Sequence, residues 1–392
     1  MDDHEPVYAG VARPTYIRVM PFTDQIYHGA LQSETSIGER NARPVAIWLF
    51  TVAAMILVMI VLGGVTRLTG SGLSIMEWAP LLGTLPPMSD TEWHRLFAIY
   101  QQIPQYGLIN QGFGLEGFKH IFWLEWAHRL WGRLIGLVFL VPLMWFWWTG
   151  HVSRSLRRRL AILFVLGGLQ GAVGWFMVAS GFIPDTTSVS PYRLVIHLAL
   201  ALILYGVIVW SGLSVLWPVP TGRPWPSALP GLVKVSTALI GLTILAGGFV
   251  AGLHAGLDYN TFPLMDGRLL PAAYTDLHPF VRNLTENVAA VQFDHRLLAT
   301  ITLVATAATL AVGWMGPSST PVRAALLIFG AAAVAQYCLG VATLLWMVPT
   351  ELAAMHQGGA VLLLTAVLVL LHAVRPPTPY GQTPRNTPSS VL

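Results

Sequence analysis

The chain has 392 residues, 54% of them hydrophobic and only 10% charged, with a mean hydropathy of +0.61. Soluble domains average roughly 25% charged residues, so 22 Lys and Arg with 18 Asp and Glu exclude soluble globular domains and disorder; they suffice only for the loops and tails of a polytopic membrane protein. The single cysteine, Cys338, excludes an internal disulfide and any Cys-based zinc or iron–sulfur site, so a metal has to be held by His or carboxylates. The net charge of +4 does not mark a nucleic-acid partner, because the basic residues sit at the ends of apolar runs.

Eight runs of the length needed to cross a ~30 Å hydrocarbon core are predicted as helices: Val45–Val65, Trp123–Trp147, Leu160–Gly181, Tyr192–Leu216, Leu232–Leu253, Ala289–Gly313, Val322–Trp346 and Leu352–Ala373. The expected fold is an all-α polytopic membrane protein made of two parallel four-helix-bundle repeats. Its parts are a cytoplasmic N-terminal tail (1–43), an N-terminal half (44–217), a linker (218–231), a C-terminal half (232–374) and a Pro-rich tail (375–392). Arg13, Arg18, Arg40, Arg43, the cluster Arg154–Arg159, Arg223, Lys234, Arg323, Arg375 and Arg385 fall on one side; Arg67, Arg95, Lys119, Arg193, Arg268 and Arg282 fall on the other. By the positive-inside rule both termini are cytoplasmic. The N-tail has neither the apolar stretch of a cleavable signal nor, with Asp2, Asp3 and Glu5, the composition of a transit peptide, so a bacterial inner membrane is expected.

The halves align on each other. Gly63-Gly64 matches Gly247-Gly248, His128-Arg129 matches His295-Arg296, Gln170 with Gly174 matches Gln336 with Gly340, and His197 matches His356. Four helices per unit give both halves the same orientation, a parallel repeat.

His128, His197, His295 and His356 are expected in the first turns of helices 2, 4, 6 and 8, at one depth near the outer surface. A single interfacial histidine reads as a residue bonded to a loop carbonyl. Four, two per half, read as paired axial ligands of haem iron, one imidazole from each of two helices. Hard cations would need clustered oxygen ligands, which these helices lack.

The first site reads Glu125-Trp-Ala-His128-Arg129 and the second Gln292-Phe-Asp-His295-Arg296. At i, i+3 Glu125 shares a face with His128, which points to one chemical site and one electron-transfer or structural site. Pairing of Glu125 with Arg129 at i+4 is the alternative. Asp294 points about 100° away from His295. Arg129, Arg296, Lys119 and Arg193 are candidates for haem propionates, or ordinary snorkelling cations. Trp123, Trp145, Trp147, Trp148, Trp217 and Trp346 read as interfacial anchors, and Gly167, Gly168, Gly171 and Gly174 as sites of close helix packing.

The strings Gly63-Gly-Val-Thr-Arg-Leu-Thr-Gly-Ser-Gly-Leu-Ser74, Glu92-Trp-His-Arg-Leu-Phe-Ala-Ile-Tyr100, Phe118-Lys-His-Ile-Phe-Trp-Leu-Glu-Trp-Ala-His-Arg129 and Asn260-Thr-Phe-Pro-Leu-Met-Asp-Gly267, with Trp78, Pro80, Gly83 and Pro86-Pro87, resemble the haem A synthase family, in its mitochondrial and alphaproteobacterial branch. The resemblance covers about residues 43–374. It implies oxidation of the C8 methyl of haem O to a formyl group, giving haem A for cytochrome oxidase. The family's ligand positions fall on His128 and His197 for the substrate haem and on His295 and His356 for a resident haem b, and its catalytic glutamate falls on Glu125. The outer-loop cysteine pair of another branch is absent, which puts a thiol-dependent mechanism in doubt.

On this reading haem O reaches the site through lipid, and two successive O₂-dependent oxidations give a gem-diol that loses water, with Glu125 near the methyl edge. The expected partners are a haem O synthase (a prenyltransferase), an unidentified electron donor and cytochrome oxidase assembly factors; a homo-oligomer is compatible. The rival reading is a quinol-linked di-haem b electron carrier, disfavoured because such carriers often place two histidines on one helix. A transporter would carry charges near the midplane, and a prenyltransferase would carry Asp-rich pairs; neither is present.

Overall fold

The computed structural model describes residues 22–79, 82–218 and 224–376. Residues 1–21 with Arg13 and Arg18, Pro80, the linker stretch with Arg223, and the Pro-rich tail from 377 with Arg385 lie outside the described residues. Eight helices are long and apolar enough to cross a membrane. They are α1 (Phe22–Leu68), α2 (Leu115–Trp148), α3 (Arg154–Val178), α4 (Pro191–Leu216), α5 (Leu229–Gly252), α6 (Val288–Met315), α7 (Thr320–Leu345) and α8 (Thr350–Ala373). Among the described residues pairing between extended segments is limited to one isolated bridge, Met265 to Arg268. The all-α polytopic expectation holds.

Local chemistry sets the helix starts. Ser153 accepts the Leu156 N–H at 3.3 Å to open α3, and Asn287 accepts from Ala289 and Ala290 at 2.9 and 3.2 Å to open α6. Pro191 stands at the start of α4, where its missing N–H costs nothing. Two helices overrun their apolar stretches: α1 reaches back to Phe22, and α2 begins at Leu115 rather than Trp123. In α2 the reason is packing, since Phe118, Ile121 and Phe122 are buried with Trp93, Leu96 and Tyr100 of a loop helix, Asp90–Tyr100.

Helix α1 packs on α2 and α4, and α3 on α2 and α4; the same neighbour pattern joins α5 to α6 and α8, and α7 to α6 and α8. The two halves meet through α4, α8, α1 and α5. Their common core holds Leu49, Val52, Leu160, Leu229, Ile240, Leu326, Phe329, Val367 and Leu370, all fully buried. Polar side chains pair inside it: Thr243 with Thr302 at 2.9 Å, Ser236 with Thr309 at 3.0 Å, and Tyr205 with Thr365 at 2.6 Å. Val141, Val165, Val304 and Ile328 face outward and exposed, a perimeter suited to lipid. The six tryptophans expected at span ends are all exposed.

The glycine expectation needs correction. Gly167, Gly168 and Gly171 meet no atom within 4 Å, because α3 lies at the periphery with little of its apolar stretch buried; Gly174 alone of that group is in close contact. Close approach occurs elsewhere, as where Gly330 admits Leu310 and Gly212 admits Phe50.

Candidate functional site

Each of the four singled-out imidazoles rests on a glycine of the preceding helix. A Cβ at Gly63 would stand 3.0 Å from Cε1 of His128, and one at Gly174 2.9 Å from that of His197. In the second half a Cβ at Gly247 would stand 2.9 Å from Cε1 of His295, and one at Gly340 2.7 Å from that of His356. These glycines lie four or five residues before the ends of α1, α3, α5 and α7, about one turn inside the end of the bundle that carries the long loops. His197, His295 and His356 lie six or seven residues into α4, α6 and α8, within their first two turns, whereas His128 is deeper than expected, thirteen residues into α2. The cause is that α2 starts at Leu115, well before its apolar run does. His128 and His197 are close enough to interact electrostatically, as are His295 and His356.

The two pairs differ in how their rings are held. His295 Nδ1 lies 3.1 Å from the Thr243 carbonyl, to which it donates, leaving Nε2 free. Gln336 Nε2 donates to the His356 carbonyl at 2.9 Å and lies 3.0 Å from His356 Nδ1. In the first half the Nδ1 atoms of His128 and His197 are both buried without a partner. Gln170, the counterpart of Gln336, donates to the His197 carbonyl at 2.9 Å, but its amide lies 3.4 Å from Nε2.

Two imidazoles converge per site, and among the described residues no group of three His, Cys, Asp or Glu does. That donor set does not complete a tetrahedral zinc site or a hard-cation cage. It fits an iron whose remaining ligands come from a porphyrin, and in the second half the bond from His295 Nδ1 to the Thr243 carbonyl leaves Nε2 for such a group.

Glu125 is buried at 2% exposure. Its Oε2 accepts the Ser74 N–H and hydroxyl, both at 2.7 Å, and the Ile75 N–H at 2.9 Å, while Oε1 accepts from Arg129 at 2.6 and 3.1 Å. The i+4 pairing with Arg129 therefore forms. Arg129 also donates to the carbonyls of Ile75 and Glu77. In the second half Gln292 Nε2 donates to the carbonyls of Ala255 and Asp258, both at 2.6 Å. Arg296 donates to Gln292 Oε1 and to the carbonyls of Tyr259 and Thr261. Both arginines thus clamp a loop. Lys119 pairs with Glu116, Arg193 with the Phe176 carbonyl, and Asp294 with the Tyr274 hydroxyl.

The described residues of the long loop, 69–79 and 82–114, form a cap over this end. The loop's Trp93 and Tyr100 pack on Phe118 and Phe122 of α2, and Gln105, which accepts from the Tyr100 hydroxyl, donates to the Gly70 carbonyl at 2.9 Å. An open cleft of about 550 Å³, lined by Ser190, Arg193 and His254 among others, lies between the α3–α4 loop and the end of α5. Sequence reasoning aligned Gln170 with Gln336 without giving them a part, and the Thr243 carbonyl, being backbone, left no signal.

The structure thus defines a multi-pass helical membrane protein with two histidine pairs at one end of its bundle. The sequence pattern of the family described as "Cytochrome oxidase assembly protein" (COX15-CtaA) matches residues 46–368. The chain belongs to that family. A haem A synthase of Granulibacter bethesdensis is 60% identical over 337 residues, covering 86% of this chain and 89% of the relative. One of Rhodospirillum centenum is 48% identical over 344 residues, 88% and 91% of the two chains, and a haem A synthase 2 of Acidiphilium cryptum is 44% identical over 356 residues, 86% and 97%.

Proposed function

We propose that this chain acts as a haem A synthase, oxidising the C8 methyl group of haem O to a formyl group. The observation that carries the reading is the contrast between the histidine pairs. A ligand whose Nδ1–H is bonded is held in its tautomer and orientation and donates more strongly to the metal. His295, whose Nδ1–H donates to the Thr243 carbonyl, and its neighbour His356 are assigned to a resident haem b. His128 and His197, buried at Nδ1 without partners, are assigned to the haem that enters as substrate and leaves as product. The relatives' printed names support the same activity.

Bound haem b would supply one-electron chemistry beside the substrate site. What the chain's own residues do follows from their contacts. The glycine seats fix the height of each ring, and Ser74 and Ile75 of the long loop cover and bond the buried Glu125. The charge of Glu125 lies one turn from His128, with both oxygens already engaged by five donors. It therefore acts on positive charge developing at the benzylic-like methyl by electrostatics. A parallel repeat with both termini cytoplasmic, in a bacterial inner membrane, puts both sites toward the periplasm. A haem O synthase, an electron donor and oxidase assembly factors are the partners this activity requires, and a homo-oligomer is compatible with it.

The test is haem extraction and chromatography from membranes of a haem A-deficient host expressing the chain, with and without a haem O-forming prenyltransferase. Haem A only with the prenyltransferase is the expected result. Haem b alone in both, with good expression and haem O present, would instead favour a di-haem electron carrier.

A further inference from the structure

The cations that the sequence offered for haem carboxylates are all engaged by the protein: Arg129 and Arg296 by loop carbonyls, Lys119 by Glu116 and Arg193 by the Phe176 carbonyl. Arg67 is different. It is half-buried in the last turn of α1, and among the described residues its guanidinium has no hydrogen bond or ion pair. A half-buried guanidinium without an acceptor is costly and calls for an anion.

Its place in the helix says which one. Arg67 follows Gly63, the seat of His128, by four residues. It is on the same face one turn nearer the loop end, and a helical side chain leans back toward the N-terminus, here toward the level of the His128 ring. A titratable group that senses Arg67 is His254, in the loop after α5. Burial, and after it the charge of Arg67, hold the His254 imidazole below its ordinary range. His254 has φ 55°, in the left-handed position that Gly70 holds in the first half at φ 67°. The counterpart of Arg67 in the second half, 184 residues on, is Ala251.

We propose that Arg67 is a carboxylate-binding residue of the first site alone, its planar guanidinium receiving a propionate of the porphyrin held between His128 and His197. The assignment rests on the haem reading above. A guanidinium–carboxylate fork adds orientation as well as affinity, so Arg67 would select one edge of the macrocycle to face the loop end and thereby set which methyl lies near Glu125. The second site, with Ala251, lacks this selection.

The experiment is a Soret titration of detergent-purified full-length protein with ferric protoporphyrin IX and, separately, its dimethyl ester, in the native chain, Arg67→Gln and Arg67→Lys, each with its resident haem b already quantified. The native chain binds the free acid about tenfold or more tightly than the ester; Arg67→Gln loses that preference while ester binding and haem b content stay as in the native chain. Arg67→Lys keeps part of the preference, which separates the assignment from a folding defect. Undiminished discrimination in Arg67→Gln, or loss of haem b instead, overturns the assignment. A native chain whose titration is unaffected by His128→Ala would instead overturn the haem reading on which it rests.

Discussion

Glu125 receives both the backbone N–H and the hydroxyl of Ser74, each at 2.7 Å, from a turn 51 residues away in the chain. In the second half Gln292 makes the opposite kind of bond, donating to the carbonyls of Ala255 and Asp258. The Glu-to-Gln difference between the halves is thus matched by an exchange of N–H donors for C=O acceptors in the loops they hold.

Glu125→Gln is therefore not a silent isostere. One amide group would face N–H donors that need an acceptor, leaving a buried polar group unsatisfied at about 1–3 kcal/mol. Lower thermal stability of the purified protein and reduced haem A formation are expected, with haem b retained. Gln292→Glu should fail the other way, turning a carboxylate on two carbonyls and depleting haem b. Glu125→Ala should leave haem bound but stall oxidation; normal haem A output from that variant would refute the electrostatic part given to Glu125.

The glycine seats predict a pattern of their own. Gly340→Ala brings a methyl to 2.7 Å from His356 Cε1, and Gly247→Ala one to 2.9 Å from that of His295, so either ring must shift and haem b content should fall. Gly241→Ala on α5 meets open space and should be neutral or slightly stabilising. Quantifying haem per protein in these three variants checks it: an equal loss in Gly241→Ala would mean that helix glycines act generally and not as seats.

Most of the fold was legible because hydropathy alone marks a membrane helix; each of the eight spans lies where an apolar run of about 20 residues stands. The overrun of α2 was not, because Phe118 and Phe122 are buried by a loop helix that the sequence does not place beside them. The histidines and the Glu125/Gln292 contrast were visible through the internal repeat. Gly174 and Gly340 were visible too, but alignment could not say that their missing Cβ admits an imidazole and not a neighbouring backbone. Arg67 was counted as a topology signal, since its lack of a partner exists only in three dimensions.

The cap carries a pH-sensitive clasp. Arg95 bonds Glu77 at 2.7 and 2.9 Å and Glu92 at 2.8 and 3.0 Å. These hydrogen bonds hold both carboxyls below their ordinary value. A depressed carboxyl pKa stabilises the folded form above the ordinary carboxylate range and ceases to do so as pH falls through the lowered value. The side chains are more than two-fifths exposed, so screening limits each pair to about 1 kcal/mol or less. Hydrogen exchange in residues 69–114 should rise as pH is lowered from 7 toward 3 after correction for intrinsic rates. Arg95→Ala should show the raised exchange already at pH 7, with a flatter pH profile.

The contrast in ring anchoring makes the two haems unequal in retention. A ring fixed at Nδ1, as His295 is by the Thr243 carbonyl, returns to the iron in one orientation after each transient dissociation. A ring free at Nδ1, as His128 is, can turn away. Apomyoglobin added in excess to protein loaded at both sites should therefore strip one haem well before the other. The early phase should vanish in His128→Ala and the late phase in His295→Ala. Gln336→Leu, which removes the amide that donates to the His356 carbonyl, should speed the late phase and leave the early one unchanged. A single phase for both haems, or acceleration of the early phase by Gln336→Leu, would show that the anchoring of the second pair does not decide which haem stays.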